Sequence, residues 1–151
     1  MKNIQLWLLC ATVFAACLLN PGCKKDPASS KKSLLTSVEC WHLTKIEFLD
    51  STTNVWEDFF LDECLTENCY SYRTDDVFVW DNEGMPCDSS EPQTIEATWH
   101  LSSDGKTLTW SVGSDKETYT IAELSENRLV LESEVTDFGD YMREREVFEP
   151  K

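Results

Sequence analysis

Apolar and polar residues alternate along residues 94 to 135 in four short runs, each followed by a turn signal. Because successive side chains of a β-strand point to opposite faces, each run predicts a strand with one buried and one wet face. The predicted buried face carries Ile95, Ala97, Trp99, Leu101, Leu108, Trp110, Val112, Tyr119, Ile121, Leu129 and Leu131. Turn residues rich in Gly, Ser, Asp and Asn separate the runs, so the pattern indicates an antiparallel up-and-down meander with short hairpins.

The rest of the chain adds further strands on both sides of this meander. Residues 40 to 49 predict the first strand, and its alternation slips near Lys45, which favours a bulge or a bend. Residues 55 to 61 predict a short strand or an irregular plug, residues 70 to 80 contain a strand, and residues 141 to 148 predict the last one. About eight strands can close into a barrel without exposed edges, so the predicted fold class is all-β, an antiparallel up-and-down barrel.

The last predicted strand has two faces of different chemistry. One face carries Tyr141, Arg143, Arg145 and Val147, and the other carries Met142, Glu144, Glu146 and Phe148. If Met142 and Phe148 point inward, the arginines face water beside acidic neighbours. If Tyr141 and Val147 point inward, at least one guanidinium enters the barrel, where it must be paired or stacked. Trp41 or a bound carboxylate would then be its partner.

The first residues predict an export signal rather than a part of the fold. Lys2 precedes an almost entirely apolar run over residues 4 to 19, which is short for a stable transmembrane span. Gly22 and Cys23 follow as in a bacterial lipobox, and Cys17 is a competing lipidation site. We predict a lipoprotein signal peptide over residues 1–22, a lipidated flexible tether over residues 23–33, and one barrel domain over residues 34–151.

Lipidation at Cys23 would make the membrane a partner of this protein. Several acyl chains, such as palmitate, anchor firmly because each buried methylene contributes about 0.8 kcal/mol. The predicted location is the cell envelope, as an outer membrane lipoprotein, with the periplasmic and surface faces both open.

Net charge limits the other partners. The chain has 28 acidic and 13 basic residues, a formal net charge of −15. Removal of residues 1–22, which contain Lys2 and no acid, makes this −16. Such a surface repels phosphate backbones, so no nucleic acid is expected as a partner. The acids are spread without calcium-loop spacing, and no metal or other cofactor is predicted.

Four cysteines follow Cys23, namely Cys40, Cys64, Cys69 and Cys87. An even number of cysteines in an exported protein predicts disulfides, and three connectivities are open. We favour Cys87 joined to Cys64 or Cys69, which would tie down the long excursion between strands. The alternative is a metal site of Cys64, Cys69 and a histidine, but its spacing is looser than that of a zinc knuckle.

Three motifs resemble the lipocalin-like domain of Bacteroidetes-type lipoproteins. They are W-x-L-T-x-I-x-F at residues 41 to 48, T-W-x-L-S-x-D-G-K-T-L-T at residues 98 to 109, and Y-x-I-x-x-L-S-x-N-R-L-V-L at residues 119 to 131. The Cys-Lys-Lys-Asp sequence from Cys23 resembles the start of such lipoproteins. A glutamate, Glu39, stands where lipocalins commonly have a glycine. The resemblance implies an antiparallel barrel with a cavity, often for a small apolar ligand.

These observations favour a membrane-anchored protein that binds a small apolar or amphiphilic ligand and is not an enzyme. No G-x-S-x-G motif is present, and the two histidines, His42 and His100, are interpreted as surface residues. The candidate ligand-binding residues are Trp80, Trp99, Trp110, Tyr119, Arg143 and Arg145. The alternative is a structural or interaction module of the cell envelope, for adhesion or as an accessory subunit, with no known protein partner. That alternative assumes a barrel filled by side chains, which the sequence slightly favours over an open pocket.

Overall fold

The structure is a computed structural model that describes residues 27–84, 86–137 and 140–151. It contains two helices, α1 (Pro27–Ser37) and α2 (Glu63–Thr66). The strands are β1 (Trp41–Asp50), β2 (Val55–Phe59), β3 (Cys69–Tyr72), β4 (Val77–Asp81), β5 (Thr94–Leu101), β6 (Thr107–Val112), β7 (Asp115–Leu124), β8 (Leu129–Asp137) and β9 (Asp140–Pro150). The predicted signal peptide, Cys17 and Cys23 lie outside the described residues.

Eight antiparallel strands close the predicted barrel. Strands β3 to β9 pair in sequence order, and β9 returns to pair with β1 from Trp41–Pro150 to Phe48–Glu144. On its other side, β1 pairs with β3 at Trp41–Tyr70 and with β2 along its second half. Strand β2 therefore extends the wall beside the ring of eight, and the fold class predicted from the sequence is confirmed.

Local details of the strands agree with the alternation except in one region. The register of β1 against β9 shifts between Leu43 and Lys45, where the sequence predicts a bulge. Residues 70 to 80, predicted to contain one strand, instead form the hairpin of β3 and β4. Asp76 makes this turn at a φ of 65°, a conformation that aspartate tolerates better than most residues.

Side chains fill the half of the barrel that α1 covers. Leu35 of α1 is fully buried, and its carbonyl oxygen accepts a hydrogen bond from Trp41 Nε1 at 3.3 Å. The fully buried core also contains Leu108, Leu129, Leu131 and Phe148. Residues 27 to 33 are thus helical, whereas the sequence predicts a flexible tether there. The helix forms because Leu35 is buried and because Pro27 occupies its first turn, where proline is tolerated.

Two disulfides join the four described cysteines. Cys40 pairs with Cys69, which links the start of β1 to β3. Cys64 pairs with Cys87, one of the two favoured partners, and links α2 to the loop between β4 and β5. The metal site of Cys64 and Cys69 with a histidine is therefore wrong, because each of the two thiols is bonded to another cysteine.

Among the described residues, no helix is both long enough and apolar enough to cross a membrane.

Candidate functional site

A cavity of about 540 Å³ occupies the half of the barrel opposite α1. Strands β4 to β9 and β1 supply most of its wall, and α2 supplies Leu65. Its apolar lining consists of Leu43, Ile46, Leu65, Tyr70, Phe78, Trp80, Ile95, Ala97, Trp110, Val112, Tyr119 and Val135. The barrel is thus filled at one end only, which differs from the filled interior that the sequence slightly favours. The residues at the ends of β6 and β8 near the cavity, Val112 and Val135, are smaller than the leucines and phenylalanine that fill the other end.

Stacked aromatic rings build one wall of the cavity. The rings of Phe78 and Trp110 lie parallel, with centroids 4.5 Å apart, and Tyr119 follows at 4.6 Å from Trp110. Tyr70 stacks on Trp80 at 5.7 Å. Such pairs add to the free energy of burial and hold the rings in fixed orientations. The wall is therefore preformed for an apolar ligand.

A buried amide holds Trp80 at the rim of the cavity. Asn68 is 1% exposed, and in the orientation that satisfies its neighbours its oxygen accepts from Trp80 Nε1 at 3.0 Å. Its amide nitrogen donates to the carbonyl oxygen of Cys64, also at 3.0 Å. Buried polar groups need such partners to offset the cost of leaving water. The segment of the second disulfide and the cavity wall are thus one connected unit.

Four carboxylates also line the cavity, namely Asp115, Glu117, Glu144 and Glu146. Glu146 is partly buried, and its Oε2 is fully buried with no hydrogen-bond partner among the described residues. Burial, with the charges of Glu144 and Glu117 adding to it, raises the pKa of Glu146 to about 8. Burial and the charge of Glu117 also raise the pKa of Glu144. The lining residues include no lysine, arginine or histidine.

Three tyrosines lie close to these carboxyl groups, namely Tyr70, Tyr72 and Tyr119. Tyr119 donates a hydrogen bond from its hydroxyl to Glu117 Oε2 at 2.8 Å. Burial raises the pKa of Tyr70 to about 12, and burial also raises the pKa of Tyr72 well above its usual value. Both tyrosines therefore stay neutral at physiological pH. Trp110 Nε1 is a second buried polar atom in the described chain without a hydrogen-bond partner.

The structure brings three of the six predicted ligand-binding residues to the cavity: Trp80, Trp110 and Tyr119. Trp99 lies instead in the packed half, where it is 3% exposed and its Nε1 donates to the Arg73 carbonyl oxygen at 3.0 Å. The alternation predicted its inward face correctly, but alternation does not tell which inward residues border the cavity. Trp99 therefore contributes to the core rather than to the cavity.

The two predicted arginines lie outside the barrel. Met142, Glu144, Glu146 and Phe148 share one face of β9, and Phe148 is in the core, so Arg143 and Arg145 point outward. The guanidinium of Arg145 lies 4.0 Å from the centre of the Trp56 ring, and Arg143 lies 5.5 Å from it. Both donate to Glu132 on the neighbouring strand β8. The stacking partner is Trp56 rather than Trp41, and no arginine of the described residues lines the cavity where it could meet a ligand carboxylate.

The four cavity carboxylates, Asp115, Glu117, Glu144 and Glu146, were not among the predicted site residues. Their signal was present, because the alternation of β9 puts Glu144 and Glu146 on the face of Phe148. Charged residues on the face that a core phenylalanine shares are rarely buried without a reason. His42 and His100 line surface depressions away from this cavity, in agreement with their interpretation as surface residues.

Comparison with known proteins finds solved structures with a similar fold. No protein-family model matches the chain, and no curated protein matches its sequence. Among solved structures, a lipocalin-like protein from Bacteroides uniformis is similar at 14% identity and a TM-score of 0.49, over 76% of this chain and 97% of that chain. Bovine odorant binding protein with undecanal is similar at 13% identity and a TM-score of 0.47, over 78% and 73% of the two chains. At these levels of identity the likeness concerns the barrel and not a ligand.

Proposed function

We propose that this protein binds a small, largely apolar molecule inside the barrel. The observation that carries the proposal is the cavity of about 540 Å³, whose wall is mostly apolar and aromatic. A preformed concave site with few polar groups is typical of small-molecule binding. The volume lies within the range of about 300 to 1,000 Å³ that is usual for the small-molecule pockets of proteins.

The alternative role, as a structural or interaction module, assumed a barrel filled by side chains. The cavity does not agree with that assumption, because only the half next to α1 is filled. The proposal is also for binding rather than for catalysis. The groups that converge in the cavity are carboxyls and tyrosines, and both histidines line depressions elsewhere.

Titration of the purified protein with the neutral fluorescent dye Nile red tests the proposed function. We expect a blue-shifted, enhanced emission and a saturable curve, because the dye enters an apolar, water-poor site. The variant Ala97→Leu adds bulk to a cavity-lining position and should weaken dye binding about tenfold. The control Ala122→Leu makes the same change at an exposed position of β7 and should leave the affinity unchanged. Absence of saturable binding to the wild type would refute the proposal.

We also propose that a lipidated Cys23 anchors the protein at the outer membrane of the cell envelope. The support is the apolar run over residues 4 to 19 followed by Gly22 and Cys23. Metabolic labelling with palmitate tests it in bacteria that express the full chain. Cys23→Ala should abolish the label, and the matched variant Cys17→Ala should keep it. Loss of the label only in Cys17→Ala would move the anchor to that residue.

A further inference from the structure

The ionisable carboxyl groups that line the cavity all carry the same sign of charge when they are ionised. Asp115 and Glu117 reach it from β7, and Glu144 and Glu146 reach it from β9. The nearest described basic residues on β9 and β1, Arg145 and Lys45, lie on the outer face, where they pair with Glu47. The acidic groups inside the barrel are therefore not neutralised by cations of the described chain.

The carboxyl group of Glu146 is the part of this cavity that requires an explanation. Its Oε2 is buried beside aromatic rings and has no hydrogen-bond partner among the described residues. A buried, unpaired carboxylate costs several kcal/mol of folding free energy, so such a group is either protonated or waits for a cation. An apolar residue at this position would have avoided that cost. The position is thus poorly suited to the empty barrel and well suited to a barrel that holds a cationic group.

We propose that the ligand is an amphiphilic amine, with its protonated amino group paired to Glu146 and Glu144 and its apolar part against the aromatic wall. This inference rests on the proposed function and names the ligand class for the same cavity. The carboxylates offer charge-assisted hydrogen bonds to an ammonium group, which are the strong ones. The faces of Trp110 and Tyr70 add cation–π attraction in the same space. A fatty acid would meet only like charges there.

The groups that face Glu146 predict how binding depends on pH. Tyr70 and Tyr72 of β3 and Tyr119 of β7 stay neutral, while Glu117 of β7 and Glu144 of β9 are acidic. From β1 and β8, the cavity receives Leu43, Ile46, Ser133 and Val135, which carry no charge. The empty barrel therefore holds Glu146 protonated at pH 7, and pairing with an ammonium group requires loss of that proton. Amine binding should release close to one proton at pH 7 and should strengthen as the pH rises from 6 to 8.

Three ten-carbon probes, decylamine, 1-decanol and decanoate, distinguish the amine from other head groups. Isothermal titration calorimetry at pH 8 should show decylamine binding at least tenfold more tightly than 1-decanol, and decanoate binding most weakly. Glu146→Gln keeps the shape of the side chain and should weaken decylamine binding at least tenfold while leaving 1-decanol unchanged. The control Glu126→Gln removes the same charge from an exposed turn at the other end of the barrel. It should leave the affinities of all three probes unchanged.

A second measurement does not depend on any variant. Titrations of the wild type with decylamine at pH 7, in buffers with different ionisation enthalpies, count the protons released. Equal affinities for decylamine and 1-decanol, or uptake of protons, would overturn the amine and leave the proposed function intact. Decylamine binding that Glu146→Gln does not weaken would overturn the assignment to this carboxyl. If none of the probes nor Nile red binds, the proposed function fails as well.

Discussion

Burial of the Glu146 carboxyl costs free energy that the rest of the fold must offset. This carboxyl is placed inside the barrel by the alternation of β9, while the neighbouring residues Arg145 and Val147 share the other face of the strand. Ionisation there is opposed by burial and by two neighbouring carboxylates, so its pKa is raised to about 8 from a usual value of 4.5. The folded state therefore binds a proton that the unfolded chain has already lost at neutral pH. This difference couples stability to pH.

The first prediction follows from that coupling. Between about pH 4.5 and pH 8 the folded state holds more protons than the unfolded state, so stability is highest at the acidic end and is lost as the pH rises. We expect the free energy of unfolding of the wild type to fall between pH 5 and pH 8, by an amount on the order of a few kcal/mol. Glu146→Gln cannot ionise and should show a flatter profile.

Urea denaturation at several pH values measures both profiles. Glu126→Gln is the matched control, because it removes an exposed carboxylate and should keep the wild-type slope. Parallel profiles for the wild type and Glu146→Gln would show that Glu146 ionises in the folded protein as it does in the unfolded chain.

The residue scale also shows what alternation can and cannot predict. It placed Trp110 and Tyr119 inside correctly, because a period of two fixes the face of a strand residue. It left the two faces of β9 open, since each face mixes apolar and charged residues. The burial of Phe148 shows which face of β9 points inward. Phe148 packs against Tyr70, and these two residues lie far apart in the sequence. Trp99 and its cross-strand partner Trp110 both point inward, yet only Trp110 borders the cavity. That difference depends on the side chains that surround each ring, which no local pattern contains.

Strand β2 is held to the barrel from the outside. Trp56 lies over the guanidinium of Arg145, which also donates to Glu132 on β8 from its Nε at 3.1 Å. Lys45 of β1 pairs with Asp58 of β2 at 2.6 Å. These contacts connect β2, β1, β9 and β8 across the outer surface. Exposed ion pairs stabilise a protein little. The Glu132 side chain is only 14% exposed, so removal of its arginine partner should cost more than the loss of an exposed ion pair.

The second prediction concerns this outer cluster. Arg145→Gln removes the cation between Glu132 and Trp56 and should lower the free energy of unfolding by about 1 to 3 kcal/mol. Arg128→Gln is the control, because Arg128 pairs with exposed Glu123 and its loss should cost less than about 1 kcal/mol. Chemical denaturation measures both. Neither variant should change the affinity for Nile red, and weaker dye binding by Arg145→Gln would contradict the placement of this arginine outside the cavity.

The two disulfides close loops of similar length at different places in the chain. Cys40–Cys69 closes a loop of 29 residues beside the core, and Cys64–Cys87 closes one of 23 residues beside the cavity. Because the closed loops are of similar length, the entropy model expects similar stabilisation, about 3 to 4 kcal/mol each. Their effects on the cavity should differ, since Leu65 lines it and the Cys64 carbonyl holds the amide that positions Trp80.

The third prediction uses that difference. Replacement of both Cys64 and Cys87 by serine should lower the free energy of unfolding by about 3 kcal/mol and weaken Nile red binding severalfold. Replacement of both Cys40 and Cys69 should destabilise by a similar amount and weaken dye binding less under conditions where the protein is folded, because Cys69 reaches the cavity only through its neighbours Asn68 and Tyr70. Urea titration and dye titration give the two quantities. Equal effects of the two pairs on dye binding would show that the loops at the rim do not shape the site.

The molecule as a whole is a barrel with one filled end and one hollow end. Eight strands and the meander at residues 94 to 135 could be predicted from the sequence because turn residues mark the hairpins. The hollow half could not, since it depends on how side chains from all eight strands of the barrel meet across the interior. Helix α1 was also missed, because only burial of Leu35 distinguishes it from a polar tether. The acidic composition, by contrast, was visible at once, and part of it lines the cavity.

The position of α1 has a practical consequence for attachment. At Gly105, in the turn between β5 and β6, a side-chain carbon would lie 3.3 Å from Ala28 Cα, so the start of α1 rests against the filled end of the barrel. Any support, tag or surface joined ahead of Pro27 is therefore linked on the side away from the cavity. The barrel can be attached there while its open half still faces the solution from which a ligand arrives.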